Sequence, residues 1–346
     1  MNILITGANG FIGQALCKRM LAEGYQVRGA VRGAAQMTAL PSGVEGVLIG
    51  DIGPETDWSK ALDGIEGVVH LAARVHVMRE SAADPLAAFR LVNVAGTERL
   101  ARQAAEAGVK RLVYISSVKV NGERTGNKSS GQWSGVRGQG GELKEVFSEW
   151  DVPEPQDPYA VSKWEAEQVL RDVAADTGME VVVLRPPIVY GPGVKANFLR
   201  LLKLVKLGVP LPIASIKNQR SLIYVGNLID AIITCLVHPK AAGKTFLVSD
   251  AQDVSTPELI QMMAGASGRR ALMLPVPVWM MRMAGRIIGR SDELERLFGS
   301  LTVDISKIRR ELNWYPPFTM EEGIRETVCW YKSADPPATS GVNTFE

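Results

Sequence analysis

A short apolar run, Asn2–Thr6, breaks into Thr6-Gly7-Ala8-Asn9-Gly10-Phe11-Ile12-Gly13, and an amphipathic pattern then runs from Gly10 to Glu23. A strand that enters a glycine turn and re-emerges as a helix constrains this chain more than any other feature. Gly7 permits the tight turn, Gly10 lets the backbone approach a pyrophosphate, and Gly13 lets the helix pack close to the strand. The free N–H groups at the helix start, aided by its dipole, then hold an anion. Three glycines alone mark many turns, but the strand before and the helix after supply the context that dinucleotide binding requires. The competing reading is a fold of the same kind that has lost its ligand. Gly7, Asn9, Gly10, Phe11, Ile12 and Gly13 are therefore candidate cofactor residues.

The first half continues in the same manner, alternating apolar runs with amphipathic stretches. Strands are expected at Gln26–Val31, Gly46–Ile49, Gly67–Leu71, Arg111–Ser116 and Glu180–Leu184, with a helix at Ala87–Ala107 between the fourth and fifth strands of the series. Runs this apolar fit strands covered on both faces. The expected fold is α/β: a Rossmann doubly wound parallel sheet with a smaller C-terminal α/β substrate lobe. Residues 1–185 form the NAD(P)-binding domain, with 222–240 returning to it. Residues 186–331, rich in prolines, form the substrate lobe. Residues 126–141 hold six of the 34 glycines and form a flexible insertion. Such a loop is either a tolerated insertion or a lid using Trp133 and Arg137. Residues 332–346 read as a frayed tail.

Composition removes several functions. Lys plus Arg is 39 and Asp plus Glu is 37, so the whole chain carries no basic footprint for nucleic acid. Cys17, Cys235 and Cys329 are too scattered for a disulfide framework or a zinc site, and no metal is expected. No apolar stretch is long enough to span a bilayer, and the N-terminus shows no leader pattern, so a cytoplasmic chain is expected.

The second strand ends Ala30-Val31-Arg32-Gly33, where a NAD site would place an acid on the ribose 2′-hydroxyl. Arg32 suits a 2′-phosphate, which favours NADP with NAD as the alternative. Its other reading is stacking on the adenine or exposure to solvent. Asp51, followed by Ile52, is placed to accept from the adenine amino group. Farther on, Tyr159 and Lys163 stand at i and i+4 on a helix that opens after Asp157-Pro158. An ammonium beside a phenol lowers its pKa, so Tyr159 can exchange a proton with an alcohol or ketone oxygen. Ser117 closes the Arg111–Ser116 strand at the end where α/β folds bind ligands, and it can hydrogen-bond the same oxygen.

With TGANGFIG, Asp51-Ile52, HLAA (His70–Ala73), VNVAGT, SSVKVNG, YAVSK and RPPIVYGPG in this order, the chain resembles the extended short-chain dehydrogenase/reductases. Within them it resembles the nucleotide-sugar epimerase/dehydratase family. The resemblance covers residue 3 to about residue 330. It implies a catalytic Ser117, Tyr159 and Lys163, and cofactor contacts from Leu71, Ala72, Ala73, Asn93 and Pro186. It also implies a UDP-sugar substrate, with Asn197, Arg220 and more weakly Arg296 on the diphosphate, and it admits a homodimer. Asn197 and Arg220 also read as polar residues on a helix surface.

The departures from the family pattern narrow the chemistry. Where a 4,6-dehydratase carries an acidic pair after the Ser/Thr, this chain has Val118-Lys119, so dehydration is not expected. A tyrosine that usually precedes the glycine is replaced by Asn121. On an extended strand Lys119 shares a face with Ser117 and would project toward substrate as a further catalytic and binding residue. Its other reading is a pair with a carboxylate such as Glu123. The subgroup most resembled contains 4-epimerases and reductases of UDP-2-acetamido-2,6-dideoxy-4-hexulose, the latter giving UDP-N-acetylquinovosamine for surface polysaccharide. The missing acid after the second strand favours the reductase, with the epimerase as the alternative. A reductase of small lipophilic ketones would not need Arg220 and Asn197, and a non-catalytic NADP sensor would not keep the whole Ser117–Tyr159–Lys163 set. His70 reads as a core or cofactor-edge residue, and His76 as a solvated one. Val276–Ile288, with its Met, Trp and Arg, reads as buried in the small lobe rather than as a membrane-surface helix.

Overall fold

The computed structural model describes residues 1–75, 84–126, 145–289, 295 and 297–334. The chain begins β1 (Asn2–Thr6), α1 (Phe11–Ala22), β2 (Gln26–Val31), α2 (Ala34–Met37), β3 (Glu45–Leu48), α3 (Ser59–Leu62) and β4 (Gly67–His70). Then come α4 (Pro85–Arg90), a π-helical segment (Leu91–Ala95), α5 (Gly96–Glu106), β5 (Arg111–Ile115), a 3₁₀ turn (Val118–Val120), α6 (Pro158–Thr177) and β6 (Glu180–Arg185). The C-terminal half adds β7 (Ile188–Tyr190), α7 (Ala196–Leu207), β8 (Arg220–Tyr224), α8 (Val225–Val237), β9 (Thr245–Leu247), β10 (Asp253–Val254) and α9 (Thr256–Ala266). It closes with α10 (Val278–Ile288), α11 (Ser306–Leu312) and α12 (Met320–Ala334).

The sheet is the expected doubly wound one. Seven strands lie in the order β3-β2-β1-β4-β5-β6-β9, all pairs parallel. β1 stands between β2 and β4, with Thr6 opposite both Ala30 and His70. The strand order therefore reverses at the C-terminal end of β1, which is where such sheets bind ligands. β4 and β5 are buried along their whole length, which explains their unbroken apolar runs. α8 packs on α1, and β9 then joins the edge beside β6, carrying the chain back onto this sheet. A second sheet, β10-β8-β7, belongs to the C-terminal half.

Two expectations need correction. The helix read at 87–107 is interrupted, because α4 and α5 are joined by the π segment Leu91–Ala95, which rotates Asn93 into the interior. The Val276–Ile288 stretch buries Met281 but not its other large side chains, since Trp279 is 62% and Ile287 83% exposed.

The 126–141 insertion lies almost wholly outside the described residues, as do Trp133, Arg137, His76 and most of the 332–346 tail. Its flanks are defined. Thr125 N donates to Ser300 O at 2.9 Å and Phe147 N to Thr302 O at 2.9 Å, so both sides of the insertion are anchored on the C-terminal half.

Candidate active site

The glycine turn has no room for side chains. A Cβ on Gly13 would stand 2.1 Å from Gly7 O, and one on Gly7, which has φ +69°, would stand 3.1 Å from Ala72 N. Gly10 N donates to Gly7 O at 2.9 Å, which closes the turn. Gly10 caps α1 with no side-chain hydrogen bond, and the first turn has no acid, so the helix offers its N–H groups to an anion. Phe11 and Ile12 open this helix, and Asn9 O accepts from Gln14 Nε2 at 3.1 Å, fixing the turn from behind. This cradle fits a dinucleotide pyrophosphate.

Around it, the ends of β1 and β4 are stitched together. Ala72 N donates to Thr6 Oγ1 at 3.1 Å, and Thr6 Oγ1 is 2.7 Å from His70 Nδ1. His70 Nε2 lies 3.0 Å from Thr97 Oγ1, and burial pushes the imidazole down to about 3. His70 is thus a neutral core residue that places Leu71, Ala72 and Ala73 at the switch point. At the adenine end, the Arg32 guanidinium leans 3.8 Å from the Asp51 carboxylate, both side chains well exposed. Asp51 therefore competes for the group offered to a 2′-phosphate. Ile52 packs against Gly96, where a Cβ would meet its Cγ2 at 2.5 Å.

Asn93 spends its amide on structure. Its Oδ1 accepts from Arg74 N at 2.7 Å, and its Nδ2 donates to Arg74 O and to Ser162 Oγ, each at 3.0 Å. Ser162 Oγ in turn donates to Tyr159 O at 2.8 Å. The π segment thus ties the loop after β4 to the first turn of α6, in keeping with the occurrence of such segments at functional sites.

α6 begins where Asp157 caps it, accepting from Ala160 N at 2.7 Å, with Pro158 at the first helical position. Tyr159 packs edge-on against Phe89 at 6.1 Å. Lys163 is fully buried: its Nζ donates to Ile115 O at 2.7 Å and lies 4.5 Å from the Tyr114 ring centroid and 6.0 Å from that of Tyr159. Burial pushes Lys163 down to about 7, opposed by Glu167. The expected lowering of Tyr159 is not found. Burial, and then the Asp157 carboxylate, push the phenol up. Ser117 follows β5, and Val118 N donates to Pro186 O at 3.0 Å, so the ends of β5 and β6 are locked side by side.

Of the two readings of Lys119, the structure shows the pair with Glu123. Ser117 caps the 3₁₀ turn Val118–Val120, so the chain is not extended there and the shared-face argument fails. Its Nζ donates to Glu123 Oε1 at 2.8 Å and to Asp157 Oδ2 at 2.5 Å. The ammonium neutralises the carboxylate that caps the Tyr159 helix.

Several residues of this region escaped the sequence reading. Glu167, with no exposed surface, accepts from Ser116 Oγ at 2.6 Å and from Arg185 Nε and Nη2 at 2.9 and 2.6 Å. Arg185 Nη1 donates to Asn121 Oδ1 at 3.0 Å, and Asn121 Nδ2 to Ser148 O at 2.7 Å. The signals were present: a carboxylate four residues after Lys163, and an arginine ending an apolar strand. Of the expected diphosphate residues, Asn197 is exposed on the first turn of α7, while Arg220 begins β8 and donates to Gly299 O at 3.1 Å. Burial and then the nearby Arg124 push Arg220 down, opposed by Glu123, and Arg124 itself donates to Glu295 Oε2 at 3.4 Å. Arg124 had no sequence signal. Arg296 lies outside the described residues.

Residues 3–249 match the NAD dependent epimerase/dehydratase family. Over 338 residues, 96% of each chain, the protein is 46% identical to a UDP-glucose 4-epimerase of Vibrio cholerae. It is 25% identical, over 94% of each chain, to an N-acetyl-alpha-D-glucosaminyl-diphospho-ditrans,octacis-undecaprenol 4-epimerase of Escherichia coli O157:H7. Among solved structures, MoeE5 in complex with UDP-glucuronic acid and NAD superposes with a TM-score of 0.73 at 25% identity, covering 97% of this chain and 100% of that one. The 46% relative is an epimerase and not a quinovosamine-type ketoreductase. The glycine cradle, the α6 pair and this family match agree: the chain is an enzyme of the NAD dependent epimerase/dehydratase family.

Proposed function

We propose that the protein is an NAD-dependent UDP-sugar 4-epimerase, with UDP-glucose the first substrate to test. The observation that carries this reading is the 46% identity to a UDP-glucose 4-epimerase over nearly the whole of both chains. The Ser117–Tyr159–Lys163 set supports it. The dinucleotide, held at Gly7, Gly10 and Gly13, supplies a reversible hydride acceptor. The protein's own residues handle the oxygen. Tyr159, as the phenolate, takes the O4 proton as C4 is oxidised and returns it afterwards, while Ser117 Oγ holds the same oxygen in both steps. In its protonated form Lys163, anchored on Ile115 O, opposes the burial that keeps the phenol protonated. Arg220 and Arg124, with Asn197, receive the diphosphate while the sugar turns.

Reduction of a 4-keto sugar by NADPH uses the same residues and remains the second reading, favoured by Arg32 and the absence of an acid at the end of β2. Incubating the purified protein with UDP-glucose, without added reductant, separates them. Appearance of UDP-galactose, and its loss by about 10²–10⁴-fold in Tyr159→Phe, is the expected result. No interconversion, together with NADPH-dependent consumption of a UDP-4-keto sugar, would replace the epimerase by the reductase. Unchanged turnover in Tyr159→Phe would overturn both.

A further inference from the structure

We propose that the substrate lobe carries a docking face, built on α10, that seats the protein peripherally on an anionic lipid bilayer. α10 buries Met281 and Gly285 and turns Trp279, Met280, Met283 and Ile287 outward, exposed by 62, 46, 53 and 83%. A helix at the surface of a globular protein turns its polar residues out. Here Trp279, Met283 and Ile287, at i, i+4 and i+8, make one apolar stripe along the solvent side.

A second piece of chain, just before α10 in sequence, also exposes apolar side chains. Leu211 N donates to Leu272 O, and Leu274 N to Leu211 O, each at 2.8 Å. In this paired segment Leu272 and Leu274 are exposed while Met273 packs on the core. Leu207, at the end of α7, is 70% exposed on the chain leading into the same pairing. Single exposed apolar residues are ordinary, but a helix that turns a Trp, Met and Ile stripe to the solvent is not.

Charge selects the occupant. Residues 195–229 contain six Lys or Arg and no Asp or Glu, and residues 261–291 contain five and none, in a chain with 39 basic and 37 acidic residues overall. Lys203, Arg270 and Arg286 are exposed within these segments, whereas Arg282 is turned to Glu295 at 2.7 Å. Lys203, Arg270 and Arg286 thus place exposed positive charge in the same segments that expose Leu207, Leu272, Leu274 and the α10 stripe. A second copy of the chain would set like charges against each other. Nucleic acid would use the charge and not the stripe. An anionic bilayer uses both, with the apolar side chains in the acyl boundary and the cations at the headgroups. Among the described residues no helix is long and apolar enough to cross a membrane, so the contact lies in the interface plane.

The test is flotation of the full chain with vesicles of phosphatidylcholine alone or mixed with phosphatidylglycerol. The protein is expected to float with the anionic vesicles only, and less as salt is raised. Trp279→Ser with Ile287→Ser, and separately Arg270→Glu with Arg286→Glu, should each weaken binding by at least about tenfold. Turnover without vesicles should be unchanged in both. Absence of flotation overturns the proposal, as does flotation that the Trp279→Ser, Ile287→Ser pair leaves intact. Self-association abolished by Trp279→Ser, with no flotation, overturns it in favour of a contact between two copies. Salt-sensitive RNA retention without flotation overturns it in favour of nucleic acid.

Discussion

His70 sits between two threonine hydroxyls, stacked on Tyr114 at 5.7 Å, with 1% of its surface exposed. Its pKa falls from 6.5 to about 3 on folding because burial disfavours the charged ring. The unfolded chain therefore binds a proton that the native state refuses, and stability is full above pH 6.5 and lost as pH falls toward 3. His70→Asn should flatten this part of the stability-against-pH curve, a change on the order of a few kcal/mol at the acid end, read by urea denaturation at stepped pH. An unchanged slope would mean that the ring is not buried neutral. Lys119 gives a second prediction at this scale. It neutralises Asp157, whose charge already pushes the Tyr159 phenol up. Lys119→Met should raise that phenol further and move the acid limb of the activity profile to higher pH. Loss of UDP-glucose binding with an unmoved profile would instead make Lys119 a substrate ligand.

α6 is the element on which the site depends, and its sequence shows how much could be read in advance. The Asp157 cap, Pro158 and the i, i+4 pair of Tyr159 and Lys163 are local features, so the helix and its chemistry were legible. The strands were legible too, because β1 and β4 to β6 are centred on apolar runs ended by glycine or polar residues. The π segment was not, because Leu91–Ala95 continues the Ala- and Leu-rich pattern, and only the tertiary pull on Asn93 widens the turn. Nor was the 3₁₀ turn after Ser117, whose conformation depends on Pro186 O and on the Ser117 cap. Misreading that turn put Lys119 on the wrong face. Glu167 carried a local signal, four residues after Lys163, but its pairing with Arg185 exists only once α6 packs on β6. Removing its charge leaves Arg185 buried without its partner, so Glu167→Gln should cost roughly 3–5 kcal/mol. It also removes the group that holds the Lys163 pKa up, so the alkaline limb of the activity profile should move to lower pH. The Glu167→Leu, Arg185→Met pair should recover stability without restoring that limb. Recovery of both would leave Glu167 a purely structural residue.

At the scale of the whole molecule, the two halves share a core. One cluster of buried apolar side chains runs from Ile3, Leu16 and Val113 of the nucleotide half through Leu228 and Ile232 of α8 to Ile260, Met263 and Ile324. A second cluster, around Trp58, Leu100 and Leu170, covers the other face of the sheet. The C-terminal half therefore shares its interior with the nucleotide half. α8, inside the 222–240 segment expected to return, and β9 carry the chain back onto the seven-stranded sheet side. The flanks of the insertion add main-chain pairing between Thr125 and Ser300. Structure shared in this way predicts that thermal unfolding is one cooperative transition, with calorimetric and van't Hoff enthalpies in agreement. Leu228→Ala, at a site with no exposed surface, should cost roughly 2–5 kcal/mol and lower the Tm seen by probes in both halves equally. Two resolved endotherms, or a Leu228→Ala shift confined to one of them, would show that the halves unfold independently.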